Sequence, residues 1–167
     1  VRPVIEFARR AFYGTDLLPL RVPRPSERLE PALLDWPLPA GRMKEGINEA
    51  EAHAIADAIS ALITDPAMAT RTIGVVSLHG SAQARRIQTL LRERHSAQTL
   101  LAHAFVAGDA RAFQGKERDV VFLSMVTDRD WPGEVASLAD AQAYNVAASR
   151  ARDRMVLVRS VGPGVPG

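Results

Sequence analysis

A polar loop that runs straight into a long apolar strand limits what this chain can fold into more than any other feature. Ala112-Phe113-Gln114-Gly115-Lys116-Glu117-Arg118-Asp119 is followed at once by Val120-Val121-Phe122-Leu123-Ser124-Met125-Val126. The second half does not alternate polar with apolar, so it suits a strand buried on both faces, as in the centre of a parallel sheet. In the loop, Gly115 has no Cβ and lets a backbone come close to a ligand. Gln114, Lys116 and Glu117 set an amide, a cation and an anion beside it. Polar chemistry at the edge of a buried sheet is where α/β proteins place ligands.

The rest of the chain fits the same class. The spacing predicts a short helix over 3–12, with Ile5, Ala8 and Phe12 on one face. A proline-rich connection over 19–41 follows, with a short strand over 33–36. An amphipathic helix is expected over 47–63, a buried strand over 72–78 and a helix over 82–94. Further strands are expected over 99–106, 119–126 and 155–159, with a helix over 142–152 before the last. Strands alternating with helices argue for an α/β fold: a mostly parallel central sheet, right-handed crossovers and helices on both faces. The tail over 161–167 holds too many prolines and glycines to continue an element and reads as a linker.

Composition narrows the function classes. A chain of 167 residues fits one domain with a proper core. No stretch approaches the length of a membrane span, and no secretion signal opens the chain. With no cysteine, disulfides, thiolate metal sites and thiol nucleophiles are excluded, which fits a cytoplasmic home. The four histidines have no metal-ligand spacing, so no metal site is expected. Net charge is only +2, and of 21 basic residues only Lys44 and Lys116 are lysine. Arginine suits phosphate through its planar fork, yet an alanine- and arginine-rich composition also follows from a GC-rich genome. Charge alone is therefore weak evidence for nucleic acid.

Two literal motif matches fail on chemistry. Gly162-x-Gly164-x-x-Gly167 has dinucleotide-fingerprint spacing, but no helix follows, and Pro163 and Pro166 remove donors that a phosphate needs. Gly41-Arg42-Met43-Lys44-Glu45-Gly46 has phosphate-loop glycine spacing, but Ile47 and Asn48 stand where a lysine and a hydroxyl are required.

A second run, Tyr144-Asn145-Val146-Ala147-Ala148-Ser149-Arg150-Ala151-Arg152, leads into Met155-Val156-Leu157-Val158. Together the two runs resemble motifs V and VI of superfamily 1B helicases, the group containing the nonsense-mediated-decay helicase and its bacterial relatives. There motif V reads Phe-Gln-Gly-x-Glu-x-Asp, then apolar residues and a serine; motif VI reads Asn-Val-Ala-x-Ser/Thr-Arg-Ala-Arg/Lys. Ile73 to His79 with Ala82-Gln83 resembles the family's motif IV strand and loop. Asn48-x-x-Glu51-Ala52 resembles its helix start, and Phe7 to Tyr13 the segment just before. The likeness covers 1–160 in family order, and several ordered motifs are far more specific than any one.

The resemblance implies a RecA-like, P-loop-NTPase-type domain without its own phosphate loop: the second of two motor domains, over 1–160. The N-terminal RecA-like partner domain, carrying the phosphate loop, would bind ATP and Mg2+, and this chain alone would bind neither. Arg150 takes the place of the arginine finger, which neutralises charge on the γ-phosphate during transfer. Gln114, Gly115, Glu117 and Arg152 fall at nucleotide-facing positions, Arg152 either touching phosphate or buttressing Arg150 through Asp119 or Glu117. The family's adenine-stacking aromatic lies in a segment of which Arg2-Pro3 is at most the end. Ser77, His79 and Asp109 fall where the family grips single-stranded DNA or RNA, although an aspartate would repel phosphate. Movement along the strand would run 5′ to 3′. The wording of both motifs is also similar to large bacterial helicases with a nuclease-like domain after the motor, a further partner. The alternative is a RecA-like module that has lost catalysis and binds protein; retention of Arg150 and Glu117 argues against it. A nuclease or methyltransferase would need a carboxylate cluster or cofactor loop that the sequence lacks.

Overall fold

The computed structural model describes residues 29–128, 130, 145 and 148–160. The expected helix over 3–12 and the tail over 161–167 lie outside the described residues. A five-stranded sheet forms from β1 (Leu33–Pro37), β4 (Ile73–Ser77), β5 (Val106–Asp109), β6 (Arg118–Asp128) and β7 (Ala151–Ser160), in the order β1-β7-β6-β4-β5. Every pairing in it is parallel. The architecture is α/β and RecA-like.

The central strands are buried on both sides, as their unbroken apolar runs require. Ile73, Val75, Val120, Phe122, Val156 and Val158 face one core, shared with Ile55, Ile59, Ile87 and Leu91. Those four come from α1 (Glu49–Thr64) and α2 (Ala82–Arg94), the two long helices among the described residues. Val76, Val121, Leu123 and Met155 face the second core, closed by Phe113 and Ala148. The period-two alternation of the strands generates both cores from one sheet.

Four boundaries depart from expectation. The first helix begins at Glu49, because Ile47–Asn48 (β3) pairs antiparallel with Met43–Lys44 (β2). Glu45 and Gly46 both have positive φ there, the geometry of a tight hairpin turn. Gly46 thus serves a hairpin turn, and Gly41 lies where a Cβ would strike the Ser160 side chain; neither forms a phosphate loop. Second, the expected strand over 99–106 is instead α3 (Ala97–Ala102), with β5 starting only at Val106. The Ser96 hydroxyl accepts the Thr99 N–H at 3.1 Å, an N-cap that outweighs the strand propensity of Thr99. Third, Asn145 and Ala148 are helical but Ser149 and Arg150 form a turn, and β7 already starts at Ala151. Pairing with β6 overrides the helix propensity of the alanine- and arginine-rich run. Fourth, β6 runs two residues past its expected end at 126.

Candidate functional site

Parallel strands give the sheet two chemically distinct ends, and the sequence-predicted residues divide between them. Gln114, Gly115, Glu117, Arg150 and Arg152 gather at the end where β6 and β7 begin. Ser77, His79 and Asp109 lie at the opposite end, where β4 and β5 finish with Ser77 opposite Asp109.

The first group meets because β6 and β7 pair with Arg118 opposite Ala151. The Arg118 N–H donates to the Arg150 carbonyl at 2.9 Å, fixing the two motifs side by side. Gly115 has φ +72°, and a Cβ built there meets nothing within 4 Å, so the loop faces open space. Gln114, Gly115, Lys116 and Glu117 are all exposed. The side chains of Gln114 and Lys116 make no hydrogen bond among the described residues.

A bulge aims the next charges. From Arg118 to Val120 β6 advances two residues, while β7 advances three, from Ala151 to Arg154. The extra residue re-aims the side chains around it, as bulges do. Arg152 Nε donates to Glu117 Oε2 at 3.0 Å, and its Nη1 lies 4.0 Å from Asp119 Oδ1. Asp153 turns inward and takes a 2.6 Å hydrogen bond from Arg71. Asp119 Oδ2 accepts from both the N–H and the hydroxyl of Thr72, at 2.8 and 2.9 Å. Arg118 is tied down through Nε to the Ala104 carbonyl at 2.6 Å. Burial, and then the neighbouring Arg152, hold its guanidinium below its ordinary pKa.

The letters of motif V thus separate into two kinds. Phe113, Asp119 and Ser124 are turned into the protein, whereas Gln114 to Glu117 are presented to solvent. Phe113 is wholly buried under the stretch that returns from Asp109 to Arg118. Its ring lies on Gly74: a Cβ there would sit 2.8 Å from Phe113 Cε1 and 3.1 Å from Arg118 Cγ. This close approach lets so short a connection cross the sheet from one end to the other.

At the opposite end the expected contacts are less available. Ser77 is fully buried, and its hydroxyl donates to the His79 carbonyl at 3.4 Å, so it reaches no surface. Asp109 Oδ1 accepts the Ala112 N–H at 2.9 Å and caps the turn that opens the crossing loop. That explains an aspartate where a phosphate contact would disfavour one. His79 is half-buried, like Asp109, and follows β4 beside the exposed Gly80 at φ +68°.

A buried polar hub at this end was not legible as such. Glu51 is fully buried and accepts from Ser124 Oγ at 2.6 Å, the Val126 N–H at 2.9 Å and Ser160 Oγ at 2.9 Å. Gln83 Oε1 accepts the Asn48 N–H at 2.8 Å, and its Nε2 donates to the Asn48 carbonyl and to Ser124 Oγ, both at 3.1 Å. Burial pushes the Glu51 carboxyl above the usual range, against the opposing pull of these donors. Val126 takes φ +69°, costly for a β-branched residue, inside a second register shift between Ser124 and Asp128. The signal in the sequence was small: Ser124 interrupts an apolar run, and Ser160 closes the last strand after Arg159.

Among the described residues no group of three or more His, Asp or Glu could hold a metal ion, and no helix is long and apolar enough to cross a membrane. No curated protein matches the chain significantly. The profile of the AAA_12 family, described as an AAA domain, matches residues 34–161, a span that takes in the whole sheet but for Leu33. With the parallel sheet, this match supports a helicase-type, RecA-like nucleotide-hydrolase domain. The chain belongs to the AAA_12 family of AAA domains.

Proposed function

We propose that this chain is the C-terminal motor half of an ATP-dependent superfamily 1B helicase or translocase acting on single-stranded nucleic acid. It supplies Arg150 as the arginine finger to an ATP site whose phosphate loop belongs to the N-terminal RecA-like domain of the same protein. The observation that carries this reading is the Arg118–Ala151 register, which puts Arg150 directly beside the exposed Gln114–Glu117 loop.

The residues present fit a nucleotide at that edge. The open side of Gly115 leaves room for a ligand to lie against the backbone. Arg150 offers a cation to a developing phosphate charge, and Glu117 and Gln114 offer hydrogen-bonding groups. Mg2+-ATP, held by the other domain, brings the phosphoanhydride whose cleavage drives the motor. This chain contributes the donors that close over it. The stretch from Asp109 to Arg118 links the two ends of the sheet, pinned midway by the buried Phe113.

The test is steady-state ATPase of the protein that joins this domain to its phosphate-loop domain, with and without single-stranded nucleic acid. Arg150→Ala should lower stimulated turnover at least about a thousandfold, the usual lower range for an arginine finger, while nucleotide binding weakens far less. Unchanged turnover would remove Arg150 from that role and favour a RecA-like module that binds protein.

A further inference from the structure

Arg152 is the second arginine of the motif VI run, and a cation so near a nucleotide edge has two available roles. It can reach phosphate itself, or it can hold something that reaches the nucleotide. Three observations bear on the choice. The bulge in β7 between Ala151 and Arg154 turns Arg152 toward the loop of motif V. Its Nε donates to Glu117 Oε2 at 3.0 Å, so the inner face of the guanidinium is already engaged. Behind it stands Asp119, 4.0 Å from Nη1, its Oδ2 accepting two hydrogen bonds from Thr72 just before β4.

Thr72, Asp119, Arg152 and Glu117 therefore form a chain of contacts that starts at the rigid sheet and ends on an exposed carboxylate. Glu117 and Arg152 side chains are 50% and 44% exposed, so the pair adds little to folding stability and much to orientation. A glutamate two residues after a glycine at positive φ would otherwise sample many rotamers.

We propose that Arg152 is a positioning residue that acts through Glu117: it fixes the Glu117 carboxylate for the nucleotide and does not contact phosphate itself. The proposal rests on the nucleotide reading of this edge and goes beyond it by separating the tasks of the two arginines. Arg150 would act on the reacting phosphate, and Arg152 on ground-state nucleotide binding.

The experiment is a double-mutant cycle in the ATP-hydrolysing protein that carries this domain, with Arg152→Gln, Glu117→Gln and the pair measured for kcat and for KM of ATP, beside Arg150→Ala. Glu117→Gln should raise the KM about tenfold, as expected for one charge-assisted hydrogen bond lost, and Arg152→Gln by about two- to fivefold, the worth of an exposed ion pair, with kcat within a few-fold of the parent in both. The double variant should be no worse than the worse single variant, because both remove the same interaction. Melting temperatures should not move, which separates positioning from folding. Losses that multiply in the double variant would overturn the proposal, since Arg152 would then act independently, on phosphate. A KM unchanged in both single variants while Arg150→Ala abolishes turnover would overturn it too, leaving the nucleotide reading intact. Full turnover in Arg150→Ala would overturn the reading itself and the proposal with it.

Discussion

The N–H of Arg118 donates to the carbonyl of Arg150 at 2.9 Å. This one backbone bond joins residues 32 apart in the chain and sets the first rung of the β6–β7 ladder, with Arg118 opposite Ala151. Everything proposed for the nucleotide edge depends on it. A shift of this rung by one residue would turn Arg152 to the face of the sheet opposite Asp119 and break the contact to Glu117.

The chain by itself should not hydrolyse ATP. It holds Arg150, proposed here as the finger, and the glycine loop, but among its residues there is no phosphate loop to position the γ-phosphate. A phosphate-release assay on the purified chain, with Arg150→Ala as control, checks this. Robust turnover that disappears in the variant would show that a whole site is present.

Gly74 and Phe113 should behave as one packing unit. Gly74→Ala forces a methyl to within 2.8 Å of the Phe113 ring and should destabilise by about 1–3 kcal/mol. Phe113→Ala opens a cavity beneath the crossing loop and should cost about 3–5 kcal/mol. The double variant should cost less than the sum, because the new methyl finds space in that cavity. Urea unfolding of the three variants measures the coupling, and strict additivity would place the two side chains out of contact.

Glu51 should make stability fall as pH rises through a defined window. Its folded pKa is raised above the ordinary value of 4.5, chiefly by burial. Between 4.5 and the raised folded value the native state binds more protons than the unfolded state, so unfolding free energy falls with pH there. Glu51→Gln has no such proton and should flatten that part of the curve. Glu51→Ala should instead lose about 3 kcal/mol or more, because Ser124, Ser160 and the Val126 N–H are left without their acceptor. Urea titrations from pH 4 upward, on all three proteins, decide it; parallel curves for wild type and Glu51→Gln would place the titration elsewhere.

Binding of single-stranded nucleic acid to the chain alone should be weak and should fall with added salt, since a net charge of +2 gives little general attraction. His79→Ala should weaken it more than Ser77→Ala, because Ser77 is buried and acts only through the His79 carbonyl. Asp109→Ala should cost about 1 kcal/mol of stability through the lost cap on Ala112 and should not improve binding by removing a phosphate repulsion. Fluorescence titrations at two salt concentrations test all three. Equal losses for Ser77→Ala and His79→Ala would mean that the loop after β4 opens on binding.

The unbroken apolar runs at 73–76, 120–123 and 155–158 determined by themselves that three strands would be buried on both faces, and hence that the sheet would be parallel. Residues 82–94 likewise formed their helix with the bounds that their spacing predicts. Such features are local: a period of two or 3.6 can be read within a dozen residues. The motif letters also named residues that the fold gathers at the end where β6 and β7 begin. What the sequence left undecided required neighbours that only the fold supplies. Thr99 lies in a helix because Ser96 caps it, and Arg150 lies in a turn because β6 captures the residues after it. Asp109 and Ser77 read as contacts and are instead a cap and a buried hydroxyl. Asn48 and Glu51 open a helix as read, Asn48 Oδ1 accepting the Glu51 N–H at 3.2 Å, but only the fold made the Glu51 carboxylate the centre of a hub, since Ser124 and Ser160 reach it from two strands. The physical reason is the same in each case. Whether a polar group faces water or a partner depends on what lies across from it, and for Glu51 that partner, Ser160, stands 109 residues away in the chain.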